Sequence, residues 1–319
     1  MQKTIIGLDI GGSKTALIEG TPSGEILQRY EFPTIADSFQ SGRDSMVRDV
    51  QCAMNQAAEF NRTPIAISIS IGGPMKISEG LLLNPPNLPG WHGVNLKHNL
   101  GAAFPHLPVY LENDANAGAL AELEFGIGKS RPNIRSLVFL TCGTGLGAGV
   151  IVNGQIVHGA TDTAGEVGHW RLSERGPTGY GKAGSWEGFS SGAGLVRLAA
   201  MMYPNRWDSA TPIRRLVTEI LDNDPEALAV AREAGIWMGR GIALLIDVLN
   251  PEAVVLGSLG VVLGHRLLDA ICDIVAQEAL PQARLGCEIL PSDLGSKIGD
   301  LASMMAALSA PSIRKELES

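Results

Sequence analysis

Cysteine is scarce: four residues, Cys52, Cys142, Cys272 and Cys287, are spread over 319 positions. No two form a C-x-x-C pair, so neither a disulfide framework nor a cysteine-based zinc site can be read from them, and a reducing compartment is expected. Basic charge is also short. Twenty-five Lys and Arg against 33 Asp and Glu leave a net charge of −8, which repels phosphate backbones and anionic lipid and speaks against nucleic acid or a membrane surface as partner. Long apolar runs are missing as well. The amino end meets Asp9 after too few apolar residues for the h-region of a signal peptide. The best internal candidate, residues 241–249, is interrupted by Asp247 and falls far short of the ~20 residues a membrane span needs. A soluble, cytoplasmic protein is expected. The length leaves room for roughly two domains and for a core that needs no disulfide or structural metal.

Glycine is in excess: 39 residues, about 12% of the chain against an average near ~7%. The glycines cluster. Residues 4–9 read as a buried strand, Gly11-Gly12-Ser13-Lys14 as a tight turn and 15–19 as a returning strand. The unit recurs: 136–140 is a strand, Thr141-Cys142-Gly143-Thr144-Gly145 a glycine tip, and 146–152 a returning strand. Between the copies lie a helical stretch at 45–60, a β-branched run at 64–71, and a strand at 109–112 that leads into an alanine-rich helix at 115–125, closed by Gly126. After Ser191 the pattern turns mostly helical, 225–249 being the longest stretch, before a last strand at 253–256 with its own glycine turn. A duplicated strand, turn, strand unit followed each time by mixed α/β structure predicts two similar lobes facing a common cleft. A Rossmann arrangement fits worse, because both glycine tips are followed by strand-like runs and not by a helix.

Backbone N–H groups at a glycine tip can approach a phosphate without interference from Cβ and form an anion-binding nest. Two such tips, one per lobe, would hold one polyphosphate from both sides. Asp9, just ahead of the first tip, suits Mg²⁺ held through water, and Lys14 offers a point charge to a phosphate tail. Either tip alone is also an ordinary hairpin turn; the repetition, with Asp9 beside the first copy, favours the phosphate reading. Asp114 heads the alanine-rich helix, where the positive end of the dipole favours an ionised, proton-accepting carboxylate. An Asp in that place is equally an N-cap. On the residues alone both readings stand.

Four stretches together resemble the ROK family of bacterial sugar kinases and repressors: Asp9-Ile-Gly-Gly-Ser-Lys-Thr15, Leu111-Glu-Asn-Asp-Ala-Asn116, Thr141-Cys-Gly-Thr-Gly-Leu-Gly-Ala-Gly149 and Gly165-Glu-Val-Gly-His169. Pro86-Asn-Leu-Pro-Gly-Trp91 and Asn250-Pro-Glu-Ala-Val-Val-Leu-Gly257 extend the likeness over nearly the whole chain. The resemblance implies an α/β, two-lobed actin/hexokinase-like fold, a duplicated ribonuclease H-like unit around a central cleft. The expected division is a small lobe of residues 1–115 plus a terminal helix at 299–319, and a large lobe of 116–298. It also implies Mg-ATP as phosphoryl donor, a hexose or related small-molecule sugar as acceptor, and a homodimer. The family's repressors carry a DNA-binding domain ahead of the first phosphate motif; that motif begins here within ten residues of Met1, so a kinase is expected. By the same resemblance Asp114 is the catalytic base. Gly73, Asn87, Asn113, Glu166, His169 and Glu187 serve the sugar, and Asp9, Gly11, Gly12, Lys14, Thr141, Gly143, Thr144, Gly145 and Gly257 serve Mg-ATP. The expected reaction is transfer of the γ-phosphate to a hydroxyl, O6 of glucose or a related hexose, with N-acetylglucosamine, N-acetylmannosamine or fructose as the alternative acceptor. A sugar-sensing protein without phosphoryl transfer is the rival.

Two departures from the family pattern stand out. The family commonly follows its Gly-His segment with a C-x-C-G-x-x-G-C-x-E zinc motif, whereas the chain has Thr178-Gly-Tyr-Gly-Lys-Ala-Gly-Ser-Trp-Glu187. The glycine frame and Glu187 survive without the three thiolates, so no zinc site is expected and Tyr180, Trp186 and Phe189 are the expected packing replacements. His169 is then free to orient the sugar or Glu166, or is a structural hydrogen-bonded histidine. The second departure is Gly257-Ser-Leu-Gly260, where kinases of the family often run consecutive glycines near the adenosine.

Overall fold

A computed structural model describes residues 1–318. The chain forms two compact units, one of residues 1–125, 158–164 and those from Lys297 on, the other of 126–157 and 165–296.

The sheet of the first unit contains β1 (Gln2–Ile10), β2 (Lys14–Gly20), β3 (Ile26–Pro33), β4 (Arg62–Ile71) and β5 (Val109–Asn113), in the order β3-β2-β1-β4-β5. The first three run antiparallel as successive hairpins, and β4 and β5 add in parallel. Residues 4–8 of β1 and 65–71 of β4 are continuously buried, as apolar runs in a sheet covered on both faces must be. One face is covered by the helix Phe39–Glu59, whose buried Gly42, Met46, Val50, Ala53 and Ala57 recur three and four apart. It starts six residues before the expected 45 because the Ser38 side chain accepts from the Ser41 N–H and caps it. On β1 and β4 also lies the helix Ile298–Leu308, which contacts the helix Asp114–Glu124 as well. Its approach is close: a Cβ on Gly7 would collide with Ser303, and the Ala307 N–H donates to Ser68 Oγ at 3.1 Å in the buried interior.

The second unit repeats the plan. Its sheet contains β6 (Leu137–Cys142), β7 (Leu146–Val152), β8 (Gln155–Ile156), β9 (Ala253–Leu256) and β10 (Glu288–Pro291), in the order β8-β7-β6-β9-β10. Antiparallel β8 and β7 stand on one side of β6, parallel β9 and β10 on the other. The core of this unit is built from the sheet and the helices Gly192–Met202, Ile213–Leu221, Pro225–Leu249 and His265–Glu278. The 25-residue helix matches its expected bounds. Asp224 Oδ1 accepts from the N–H groups of Glu226 and Ala227 at its start, and Asn250 ends it in the left-handed region at φ 44°.

The division between units differs from the expected one. The first unit runs to Phe125 and not to residue 115, because the helix Asp114–Glu124 packs on Ile298–Leu308 of the same unit. It also takes in 158–164, where His158 Nε2 lies 2.8 Å from Glu112 Oε2 and Asp162 Oδ2 accepts from the Ile77 N–H at 2.9 Å. Among the described residues no helix is long and apolar enough to cross a membrane.

Candidate active site

In the first unit Ile10 pairs with Ile71, and Ile71 with Asn113, so β1, β4 and β5 end level at their carboxyl edge. That edge is where open α/β sheets gather ligands. Asp9, Gly11, Gly72, Asn113 and Asp114 all emerge there. Asp9 is half-buried, and a Cβ on Gly299 would stand 2.7 Å from its Oδ2. Burial first, then the neighbouring Asp114 and Asp300 carboxylates, push Asp9 up to about 7, against the opposing pull of Arg29 and Lys14. The hairpin tip closes with the Gly11 N–H on Lys14 O at 3.0 Å. A Cβ on Gly12 would lie 2.5 Å from Asn87 Cβ, so glycine is what lets the tip and the exposed Asn87 come together. Lys14 is exposed and its Nζ stands 3.1 Å from Glu31 on β3.

Asn113, and not Asp114, caps the helix. Asn113 Oδ1 accepts from the N–H groups of Ala115 at 2.9 Å and Asn116 at 3.3 Å, while Asp114 is the first helical residue and uses only Oδ1, toward the Ala115 N–H at 2.9 Å. Its Oδ2 lies on the side of Gly72, 3.7 Å from where a Cβ there would stand. Asp114 is open to solvent. Enough protein nonetheless surrounds its carboxyl that desolvation holds it above the ordinary carboxylate range, opposed by backbone N–H donors. Gly73 follows Gly72 at the same edge, half-buried.

In the second unit β9 ends where Leu256 pairs with Leu140, two residues before the end of β6, and the Gly257 N–H donates to Leu140 O at 2.9 Å. From this edge come the tip Thr141–Gly145 and Ser258. The Gly192 and Ala193 N–H groups, at the start of the helix Gly192–Met202, donate to the Gly143 and Thr144 carbonyls at 2.8 and 3.4 Å. A cavity of about 640 Å³ opens beside the tip, lined by Gly143, Thr144, Val196, Ile213, Val217 and Ser258 among others. Its size and apolar walls suit a small organic ligand with a polar end. Ser258 adopts φ 44° and ψ −105°, a conformation costly for any residue but glycine. Thr141 and Gly145, the two ends of the tip, and Gly257 do not line the cavity.

Glu187 is half-buried under the second tip: its Oε2 accepts from the Leu146 N–H at 3.1 Å, and a Cβ on Gly145 would approach that oxygen to 2.7 Å. Burial raises its carboxyl above the usual range, while the Leu146 N–H, Arg197, His169 and a hydrogen bond from Tyr180 pull it down. His169 stacks on Tyr180 with ring centroids 3.7 Å apart, and burial, aided by Lys182, lowers its pKa below the ordinary imidazole value. Glu166 precedes the single turn Val167–His169, half-buried. Ser185, where the family has a thiolate, donates to Gly179 O and accepts from the Gly188 N–H, both at 3.1 Å. Phe189 stacks on Trp237 at 4.0 Å, and Trp186 on Trp170 at 5.5 Å. Among the described residues no group of three His, Cys, Asp or Glu is placed to hold a metal ion.

Sequence reasoning missed the cavity walls. Val196, Ile213, Val217 and Val262 are apolar residues at helical spacing, which reads as core. It also passed over Glu112 and His158, although Glu112 stands inside a singled-out motif.

The ROK family model matches residues 5–309. A glucokinase of Halalkalibacterium halodurans is 29% identical over 310 residues, 92% of each chain. A xylose repressor of Caldicellulosiruptor bescii is 29% identical over 292 residues, 86% of this chain and 71% of the repressor. The crystal structure of a ROK family glucokinase from Streptomyces griseus in complex with glucose and AMPPNP superposes with a TM-score of 0.77 at 28% identity, covering 94% of this chain and 98% of that one. The shared fold is the actin/hexokinase-like one, and the twice-used sheet order is its mark. Matched almost end to end by the family and by its kinases and repressors alike, the chain belongs to the ROK family.

Proposed function

We propose that the chain is a Mg-ATP-dependent sugar kinase that phosphorylates a hexose hydroxyl, O6 of glucose or a close relative. Asp114 carries the reading. Its carboxylate is accessible, is released from capping by Asn113, and stands at the level carboxyl edge of β1, β4 and β5.

The residues present fit the donor. The cavity beside Gly143 and Thr144 has room for a nucleoside, and the tip Thr141–Gly145 supplies backbone for its phosphates. In the first unit Gly12 offers a further backbone N–H, on a tip that Gly11 closes through Lys14 O, and Asp9 an oxygen ligand suited to Mg²⁺ through water. Its pKa, raised partly by crowding with Asp114 and Asp300, marks a place where a cation relieves repulsion. In this reading Gly257, after β9 in the second unit, passes near the nucleotide; a Cβ there would stand 2.7 Å from the Phe139 ring. Mg-ATP, when bound, supplies the phosphoryl group and neutralises its developing charge. Lys14 reaches it only by leaving Glu31.

Asp114 Oδ2 accepts the proton from the sugar hydroxyl as that oxygen attacks. A raised pKa makes it a stronger acceptor than an ordinary Asp. Asn87 presents both amide donor and acceptor to adjacent hydroxyls, and Asn113, its oxygen taken by the cap, the Nδ2 donors, with Gly73 keeping the floor open. Glu166 and Glu187 serve the sugar as acceptors for its hydroxyl protons, and His169, as neutral imidazole, can both donate and accept.

ADP release coupled to a spectrophotometric readout, over glucose, N-acetylglucosamine, N-acetylmannosamine and fructose, tests this. Sugar-dependent release with at least one hexose is expected. The likeness to xylose repressors favours one other reading, sensing without transfer; sugar binding by calorimetry with no ADP release from any sugar would establish that instead.

A further inference from the structure

Glu112 is the last buried carboxylate before the Asn113–Asp114 turn, and its two oxygens face different partners. Oε1 accepts from the Asn113 N–H and from Asn116 Nδ2, both at 2.9 Å. Oε2 stands 2.8 Å from His158 Nε2. A carboxylate oxygen only accepts, so the imidazole nitrogen donates. Glu112 is thus a clamp between the end of β5 and the first turn of the next helix, with His158 the group that keeps it from rotating. His158 heads the segment 158–164, which is fixed to the first unit a second time by Asp162 Oδ2 on the Ile77 N–H and closed by the Ala164 N–H on His158 O at 3.0 Å.

We infer that His158 is a positioning residue for phosphoryl transfer, holding Glu112 so that the backbone of Asn113 and the first helical turn set the direction of the Asp114 carboxylate. The inference rests on the kinase reading. His158 touches neither sugar nor nucleotide in it, and acts only through Glu112. Two negative groups face the imidazole, Glu112 at hydrogen-bond distance and Asp162 from its own segment, and both favour its protonated form. The Glu112 hydrogen bond is the larger influence, opposed by partial burial.

Two variants and two readouts test it. His158→Ala removes the donor; His158→Gln keeps an N–H donor that can reach Glu112. The first readout is hydrogen exchange of the Asn113 amide, followed by NMR, and the second is kcat and KM with the best sugar. In His158→Ala the Asn113 amide should exchange faster by about tenfold while strand amides of β1 and β4 keep their rates, and kcat should fall by roughly ten- to a hundredfold with KM for ATP within about twofold. His158→Gln should recover most of both. Unchanged Asn113 exchange and unchanged kcat in His158→Ala would overturn the inference. So would a rise in exchange shared equally by all amides of the unit, which marks loss of stability alone. If the wild-type protein released no ADP with any sugar, the kinase reading would fall; Asn113 exchange would then show by itself whether His158 holds the turn.

Discussion

Replacing Asp114 by Asn should leave the helix intact, because Asn113 supplies the capping oxygen. It removes only the proton acceptor, so kcat should fall by about 10²-fold or more with sugar KM nearly unchanged and with an unaltered circular dichroism spectrum. Glu187 separates differently. Its Oε2 tethers the second tip through Leu146, so Glu187→Ala should raise KM for both sugar and ATP, whereas Glu187→Gln, which can still accept from that N–H, should raise KM for sugar alone. Initial-rate measurements with each substrate varied in turn decide it. Asp9 provides a test without substrate. Its folded pKa of about 7 lies above the unfolded value of 3.8, so the native state binds the extra proton between those limits. Asp9 therefore makes stability fall as pH rises from about 4 to about 7, and contributes no slope above that. Thermal melts across this range should show a shallower decline in Asp9→Asn than in the wild type. At this scale the sequence was readable wherever chemistry demanded a rare residue in a fixed place. It was silent about which of Asn113 and Asp114 does the capping, since either side chain fits the helix start and only the folded backbone decides between them.

Turns and strands announce themselves by different signals. Both hairpin tips were visible in the glycines, and β1, β4, β5, β6 and β9 in their apolar, β-branched runs. The strand β3 was not. Gln28, Arg29, Tyr30 and Glu31 occupy an edge with one open side, so its pattern is polar and lacks the apolar alternation of an inner strand. Yet β3 carries Glu31, which holds Lys14. Ser258 is a test of the third turn. Relaxing its φ of 44° and ψ of −105° by Ser258→Gly should raise stability by about 1 kcal/mol, the relief of backbone strain less the added freedom of the unfolded chain. Urea denaturation measures it, and an unchanged or lower midpoint would show the conformation to be unstrained. The short hairpin Thr178–Gly179 with Lys182–Ala183 is held by the Ser185 hydrogen bonds and the His169–Tyr180 stack. Purified protein should accordingly contain well under one zinc per chain and regain full activity after chelation once Mg²⁺ is restored. Stoichiometric zinc by elemental analysis, lost together with activity, would contradict that.

The repeated sheet order of the whole molecule was legible because a strand, glycine tip, strand unit occurred twice; the extent of each unit was not, because membership depends on contacts between residues far apart in sequence. The helix Ile298–Leu308 makes the point. It buries Leu301, Met304, Met305 and Leu308 within a unit whose other elements lie mostly in the first 125 residues. At about 1.5–3 kcal/mol for each such side chain, that burial rivals the roughly 5–15 kcal/mol by which a domain is stable. A chain ending at Ser296 should lose protease resistance throughout residues 1–125 while peptides of the second unit stay protected, as mass spectrometry of limited digests would reveal.

That late helix also sets an order of events during synthesis. The strand bearing Asp9 and the helix headed by Asp114 leave the ribosome early, but the helix that packs on them is translated only after the entire second unit. At roughly 5–20 residues per second the interval is on the order of ten seconds or more. Through that time the face bearing Ile5 and Gly7 of β1 and Ala66 and Ser68 of β4 lacks the helix that covers it through Ser303 and Ala307. The first unit to be made is the last to be finished, so for this protein the nascent chain, more than the released one, is the state in which chaperones find exposed apolar strands.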